Sequence, residues 1–318
     1  MNSVSTQTFA NNWQVCTMPI NCGFILAAGK GSRMGPIGNE LPKVLWPVFE
    51  STLVGLQINF LKQFGVSKIW VNTHHQADLV KNYLAREHPD AKILFEPTLL
   101  DSGGGIHNFI LESQVKDSFL VINSDQYLKL DEATKQRMKE SDSTKPSLLC
   151  AMPGAAPYSS LRVVDNKLVS ISKEPGGPMF TGLSRINPTG IIAKKQPSKF
   201  FETVCDYKNT NIEVVECDGE FLDFGSPLLY RNSMKKLLHK LLSDEQLLNE
   251  WQEAGLIDPQ KINPKLLSYG CDQAEVFNFS GENLEQHWPK GSIILKQDAT
   301  QTQSAAPCIV YGKVVEVF

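Results

Sequence analysis

The chain has no excess of basic residues. Across its 318 residues, 31 Lys and Arg stand against 34 Asp and Glu, a net charge of −3. That balance excludes the electrostatic footprint of a general nucleic-acid binder. No C-x-x-C pair is present. The seven cysteines (Cys16, Cys22, Cys150, Cys205, Cys217, Cys271 and Cys308) are odd in number and irregular in spacing. Neither a zinc knuckle nor a disulfide framework fits that pattern, whereas reduced thiols in a cytoplasmic protein do. No apolar run approaches the roughly 20 residues of a membrane span, so no membrane partner is expected. Residues 1–21 contain no Lys or Arg and lack the basic and apolar regions of a secretory signal, so they read as a polar N-terminal extension. What the chain does have is apolar content, 42%, enough for one large α/β domain with an appendage or for two domains.

The run GFILAA (23–28) is continuously apolar, as suits a strand buried on both faces. It ends in a glycine-rich turn, GKGSRMG (29–35). A helix follows near 51–64, with Leu53, Leu56, Phe60, Leu61 and Phe64 at roughly helical spacing and Gly65 as its stop. Then come a strand at 68–73, a helix near 76–86, a strand at 92–96, a helix opened by SGGGI (102–106) and a strand at 118–125. Strands alternating with helices predict a doubly wound, mostly parallel sheet with helices on both faces. The second half predicts short strands at 147–152, 160–165, 167–172, 190–194, 213–218 and 220–225, with a hairpin turn at Asp165-Asn166. A long helical stretch spans 227–254. The tail from about 266 reads as a small β cap or oligomer contact.

Several patterns along this frame can carry chemistry. The turn 29–33 lies where α/β sheets bind ligands, at a strand's carboxyl end, and small residues there expose backbone N–H groups to anions. Lys30 and Arg33 add positive charge, and Arg33 can fork onto two phosphate oxygens. The turn is not a P-loop, because Lys30 precedes Gly31. It is not the dinucleotide fingerprint either, because Met34 holds the third glycine's place. In LPK (41–43), Pro42 fixes the chain just before one long cation, Lys43. Asp125 closes the apolar run FLVIN (119–123), a position suited to Mg²⁺. Asp223, in FLDFGS (221–226), can share the ion if its strand neighbours that of Asp125. In DSGGGI (101–106) the glycines let a flat base or another backbone approach closely. His74 and His75 are adjacent on an extended segment and point to opposite faces, so they do not share an ion.

The order FILAAGKGSRM, LPK, DSGGGI, a strand ending in Asp, then LDFGS resembles the sugar-phosphate nucleotidyltransferases, or NDP-sugar pyrophosphorylases. Their pattern runs L-A-A-G-x-G-[TS]-R-[ML], P-K, a Gly-rich base loop, G-D, E-K-P, T-G and [WLV]-x-D-x-G. The resemblance covers roughly 22–235. It is nearest to N-acetylmuramate-1-phosphate uridylyltransferases and mannose-1-phosphate guanylyltransferase-like proteins, through the triple glycine and NTHH (72–75). Two motifs depart from the pattern: G-D is Ser124-Asp125 here, and E-K-P is Lys173-Glu174-Pro175.

The resemblance implies a Rossmann-like (GT-A-like) mixed α/β sheet, with a nucleotidyltransferase domain at 22–235 and a small C-terminal helical and β appendage at 236–318. It implies a Mg²⁺-dependent reaction of a nucleoside triphosphate, UTP first, with a sugar 1-phosphate. Catalysis would fall to Arg33, Lys43 and Lys30. Nucleotide binding would fall to Ala27, Ala28, Gly29, Gly31, Ser32, Ser102, Gly103 and Gly104, and sugar binding to Asn123, Lys173, Glu174, Thr181 and Gly182. The metal would sit on Asp125 and Asp223. Three alternatives stay open. One is a non-catalytic, sugar-nucleotide-binding regulatory subunit, which the two departures motivate. Another is a cytidylyltransferase acting on phosphocholine. The third is a glycosyltransferase, which Asn123-Ser124-Asp125 disfavours because it is not D-x-D.

Overall fold

The computed structural model describes residues 18–141, 145–154, 158–174, 176–284, 286–298 and 304–318. Cys16, Pro175 and most of the N-terminal extension lie outside the described residues.

Four parallel strands form the frame: β1 (Cys22–Leu26), β2 (Lys68–Thr73), β3 (Lys92–Phe95) and β4 (Phe119–Asn123). Their spatial order is β3-β2-β1-β4, all parallel. The chain moves outward from β1 through β2 to β3, then returns to the other side of β1. The carboxyl ends of β1 and β4 therefore flank a topological switch point, where open α/β sheets bind ligands.

Both faces of the sheet are covered, and alternation along β1 shows how. Ile25 packs with Ile69 and Val71 against Val54, Ile58, Val80 and Leu84 of the helices Leu53–Gln63 and Ala77–Glu87. Phe24 faces the other way, toward Ile106 and Phe109 of the helix Asp101–Ser113, with the Phe24 and Phe109 rings stacked at 4.6 Å. Successive strand residues point to opposite faces, so one apolar run supplies two cores.

Beyond β4 the sheet turns antiparallel. Pro178–Ile186 pairs with β4 and with Ser147–Pro153, which in turn pairs parallel with Ile212–Glu216. The hairpin Ser160–Val164 and Lys167–Ser172 closes this group into a ring of pairings, and Asp165 and Asn166 both adopt positive φ at its turn.

Some sequence expectations need correction. The nine-residue strand Pro178–Ile186 does not announce itself, because it follows Gly176-Gly177 and begins with proline. Residues 190–194, expected as a strand, form a turn and an irregular loop, with Ile192 80% exposed. The helical stretch 227–254 divides into Pro227–Ser243 and Glu245–Glu253, because the Asp244 side chain accepts the Leu247 N–H at 3.0 Å and starts a new helix. Residue 235 lies inside the first of these helices. His74 and His75 follow β2 rather than belonging to it.

The tail forms a sheet of six short strands between Ile262 and Val317. Phe277 pairs with Ile293 and Ile293 with Ile309, all parallel, so the chain coils like a short solenoid. Tyr269, Phe277, Ile293 and Ile309 share one apolar cluster with Tyr230, Met234 and Leu237 of the long helix and with Met34, Ile37 and Trp46 from the first glycine-rich region. The Glu316 carboxylate lies against Gly35, where any Cβ would collide with it. Burial pushes its pKa up, and its Oε2 has no hydrogen-bond partner.

Candidate active site

After Leu26 the chain leaves the sheet and turns at Gly31, which adopts φ +64° and begins the short helical turn Ser32–Met34. Only glycine takes that conformation without strain. Met34 is wholly buried and anchors the turn, while Lys30, Ser32 and Arg33 stay exposed. Pro42 leads into a second short turn, Lys43–Leu45, which aims Lys43 across the β1 edge. There its Nζ reaches Asp125 Oδ2 at 2.6 Å, and the Arg33 guanidinium lies 3.9 Å from the same oxygen.

Asp125 sits in the turn after β4 and before the strand Gln126–Lys129. Glu220–Asp223 pairs antiparallel with that strand, matching Asp223 to Gln126, so the two acids become neighbours across a ribbon. The Phe224 N–H donates to the Asp125 carbonyl at 2.9 Å. Asp223 Oδ1 accepts the Gly225 N–H at 2.6 Å, and its Oδ2 accepts the Tyr158 hydroxyl at 2.6 Å. Burial, then the bond to Asp223, pushes the Tyr158 pKa well up. A Cβ at Gly225 would meet both Asp223 and Arg33 within 2.9 Å, so glycine lets the guanidinium close onto this group.

Two connected cavities adjoin the charged cluster. One, about 240 Å³, is lined by Ala27, Ala28, Gly29, Lys43, Asn72, Ser102, Asn123 and Asp125, among others. The second, about 370 Å³, shares Leu26, Ser102 and Asn123 with it and adds Phe180, Gly182, Lys199 and Phe200. Gly182 has φ +82°, and a Cβ there would lie 2.5 Å from both the Asn123 and Gln126 side chains.

Other expected residues sit elsewhere. Gly103 and Gly104 line neither cavity. Both N–H groups donate to the Ser198 carbonyl, and a Cβ on Gly103 would meet the Lys199 carbonyl oxygen at 2.6 Å. The glycines admit another backbone. Thr181 is buried, its hydroxyl donating to the Cys150 carbonyl at 2.9 Å. Lys173 and Glu174 are exposed beyond the Lys167–Ser172 strand and line neither cavity.

Three contributors were not among the expected site residues. Asn72, at the end of β2, accepts the N–H groups of Ala27 and Ala28 at 2.6 and 3.1 Å and donates to Glu96 Oε1 at 2.7 Å. Glu96, just past β3, is fully buried; its other oxygen accepts the Leu100 N–H at 3.2 Å. Burial raises its pKa, partly offset by Asn72 and the Leu100 amide. This bridge spans three strand ends and shapes the turn after β1. Its signal was available: a polar residue at the carboxyl end of each apolar strand, as with Asp125. Tyr158 had no such signal.

A cluster of cations and carboxylates at a switch point, backed by a glycine turn and two cavities, suits a phosphorylated ligand. The MobA-like NTP transferase domain matches residues 23–256. The chain belongs to that family. A MobA-like domain of this length covers the parallel sheet, the charged cluster and both cavities. UTP–glucose-1-phosphate uridylyltransferase of Synechocystis sp. is 26% identical over 259 residues, covering 70% of this chain and 65% of the relative. N-acetylmuramate alpha-1-phosphate uridylyltransferase of Caulobacter vibrioides is 40% identical over 88 residues, covering 26% of this chain and 36% of the relative. The chain thus spans less than two thirds of each. The crystal structure of HddC from Yersinia pseudotuberculosis, complexed with GMP-PN, superposes with a TM-score of 0.58 at 21% identity, covering 69% of this chain and all of that one. The fold is the GT-A-like α/β arrangement that the motifs implied. No helix among the described residues is long and apolar enough to cross a membrane.

Proposed function

We propose that the chain joins a nucleoside triphosphate to a sugar 1-phosphate, giving an NDP-sugar and pyrophosphate. An oxygen of the sugar phosphate attacks the α-phosphorus and forms a new P–O bond. The bond to the bridging oxygen breaks, and its electron pair leaves with pyrophosphate. No covalent enzyme intermediate is needed, so the protein contributes positioning and charge neutralisation. The observation that carries this reading is the approach of Lys43 and Arg33 to Asp125, beside Asp223, at the mouth of the 240 Å³ cavity.

Arg33, with Lys30 and the turn Gly29–Gly31–Ser32, neutralises the β- and γ-phosphates and the departing pyrophosphate. Lys43 neutralises the α-phosphate. The cavity beside Ala27, Ala28 and Ser102 takes the nucleoside, and the cavity beside Asn123 and Gly182 takes the sugar. Tyr158 and the Gly225 amide orient Asp223 through its two oxygens.

The donor set fits Mg²⁺. Among the described residues no cluster of three or more His, Cys, Asp or Glu is suited to a metal. An ion here would rest on Asp125 and Asp223 and draw its remaining oxygens from phosphate and water, as Mg²⁺ commonly does. When bound, it would neutralise charge on the phosphates. The six described cysteines are free thiols, which supports a cytoplasmic location.

Uridine is the first choice of base, supported by the two uridylyltransferase relatives; the GMP-PN complex keeps guanine in the comparison. The test is pyrophosphate release with Mg²⁺ across UTP, dTTP, CTP, GTP and ATP, against N-acetylmuramate, glucose and mannose 1-phosphates and phosphocholine. We expect one pair to react, with loss of release in Asp125→Ala. Silence across the panel, with nucleotide sugar still bound, would overturn the enzyme reading in favour of a regulatory subunit.

A further inference from the structure

The loop that replaces the expected strand at 190–194 borders a separate cavity of about 440 Å³, larger than either part of the cleft and large enough for a small metabolite. His107 enters it from the helix Asp101–Ser113, and Lys194 and Thr189 come from the loop. Ser147, Thr210 and Asn211 add hydroxyl and amide groups beside apolar residues such as Ile191 and Val204. The carboxylate in the wall, Asp206, already accepts the Asn209 side-chain amide at 2.7 Å.

His107 is the unusual member. It is 5% exposed, and its Nδ1 has no hydrogen-bond partner. Burial, followed by the charge of Lys194, lowers its pKa, so the ring is neutral near pH 7. A buried polar atom without a partner costs about 1–3 kcal/mol, so holding the imidazole at this cavity wall carries a cost. Lys194 is an exposed cation beside it. The combination calls for a ligand with several hydroxyls and one anionic group.

We propose that this cavity is a second ligand site, one that takes a sugar phosphate, with the hydroxyls on His107, Thr189 and Thr210 and the phosphate on Lys194. The site lies back to back with the cleft. Gln196 and Ser198 line it, whereas the next residues, Lys199 and Phe200, line the 370 Å³ cavity. The Ser198 carbonyl holds the N–H groups of Gly103 and Gly104, and the Phe200 N–H donates to Ser102 Oγ at 3.3 Å. Ser102 lines both parts of the cleft. A ligand that moves 196–198 therefore moves one wall of the cleft. That coupling rests on the nucleotidyltransferase reading; binding itself does not.

The test is titration calorimetry of the full chain with glucose 6-phosphate, fructose 6-phosphate and N-acetylglucosamine 6-phosphate, none of which carries the anomeric phosphate of the proposed acceptor. Inorganic phosphate is the control. At least one sugar phosphate should bind saturably, one per chain. Lys194→Glu should weaken it at least tenfold, Thr210→Val should weaken it less, and Lys43→Ala should leave it unchanged. Absence of saturable binding by all three would overturn the proposal. So would binding lost in Lys43→Ala but kept in Lys194→Glu, which puts the ligand in the cleft, or inorganic phosphate binding as tightly as the sugar phosphates. A failed catalytic reading would appear differently, as silence in the pyrophosphate assay with this binding intact.

Discussion

The two walls of the cleft are built by different means. One wall consists of charged side chains: Arg33, Lys43, Asp125 and Asp223 meet at the ends of β1, β4 and a neighbouring ribbon. The other is made by backbone. Gly103 and Gly104 bring the 196–200 segment against the helix Asp101–Ser113 through two N–H bonds to one carbonyl. The charged wall can lose a side chain and keep its shape, because its strands are held from below by the core. The second wall is spaced by glycine amides rather than by charged side chains, and any atom added at Gly103 or Gly104 displaces it.

Four substitutions probe that contrast, and a fifth, away from both walls, serves as a control. Arg33→Ala should lower turnover on the order of 10²–10³ with little change in melting temperature, read by steady-state pyrophosphate release and thermal unfolding. Gly104→Ala should do the reverse, costing about 2–3 kcal/mol of stability in denaturant titration, because its Cβ would overlap the Gln196 carbonyl. Turnover lost in Gly104→Ala at unchanged stability would break the contrast.

Asn72→Ala should cost about 2 kcal/mol, since it strips a donor from buried Glu96. The penalty has a pH signature. Glu96 already has a raised folded pKa, so its favourable contribution is complete below the unfolded value near 4.5 and falls as pH rises through the folded value. Asn72→Ala should therefore destabilise more at pH 7 than at pH 4.

Tyr158→Phe keeps the ring but releases Asp223 Oδ2, and the Mg²⁺ concentration for half-maximal activity should rise about tenfold. Asp131→Ala, far from both walls, should cost about 1 kcal/mol. It removes the cap that accepts the Thr134 N–H at 2.7 Å. The Asp131 pKa is lowered to about 2, chiefly by that bond, so its contribution holds above the ordinary value of 3.8 and vanishes as pH falls through about 2. Denaturant midpoints at pH 7 and pH 2 measure it.

The same contrast governs what the sequence reveals. Arg33, Lys43, Asp125 and Asp223 are legible because each sits in a short motif whose residues are close along the chain, or at the end of an apolar strand. The four parallel strands are legible for a related reason: burial on both faces leaves continuous apolar runs. The partners of Gly103 and Gly104 are not legible, because an amide bonding to Ser198 requires nothing of the Ser198 side chain. Thr181 misled because a threonine inside a motif and a threonine satisfied by a core carbonyl look alike in one dimension. The strand Pro178–Ile186 hid behind its glycines and proline, and 190–194 posed as a strand because apolar residues that border a cavity resemble those that fill a core.

The glycine-rich turn owes its rigidity to residues more than two hundred positions away. Met34, Ile37 and Trp46 share their cluster with Tyr269, Phe277, Ile293 and Ile309, and Glu316 lies against Gly35. In a genetic screen for lost activity, substitutions at Tyr269 or Ile309 would therefore score alongside those at Arg33. Suppressors of a mild defect in the turn would map to the tail, so the linear map of phenotypes would show two distant peaks for one physical object.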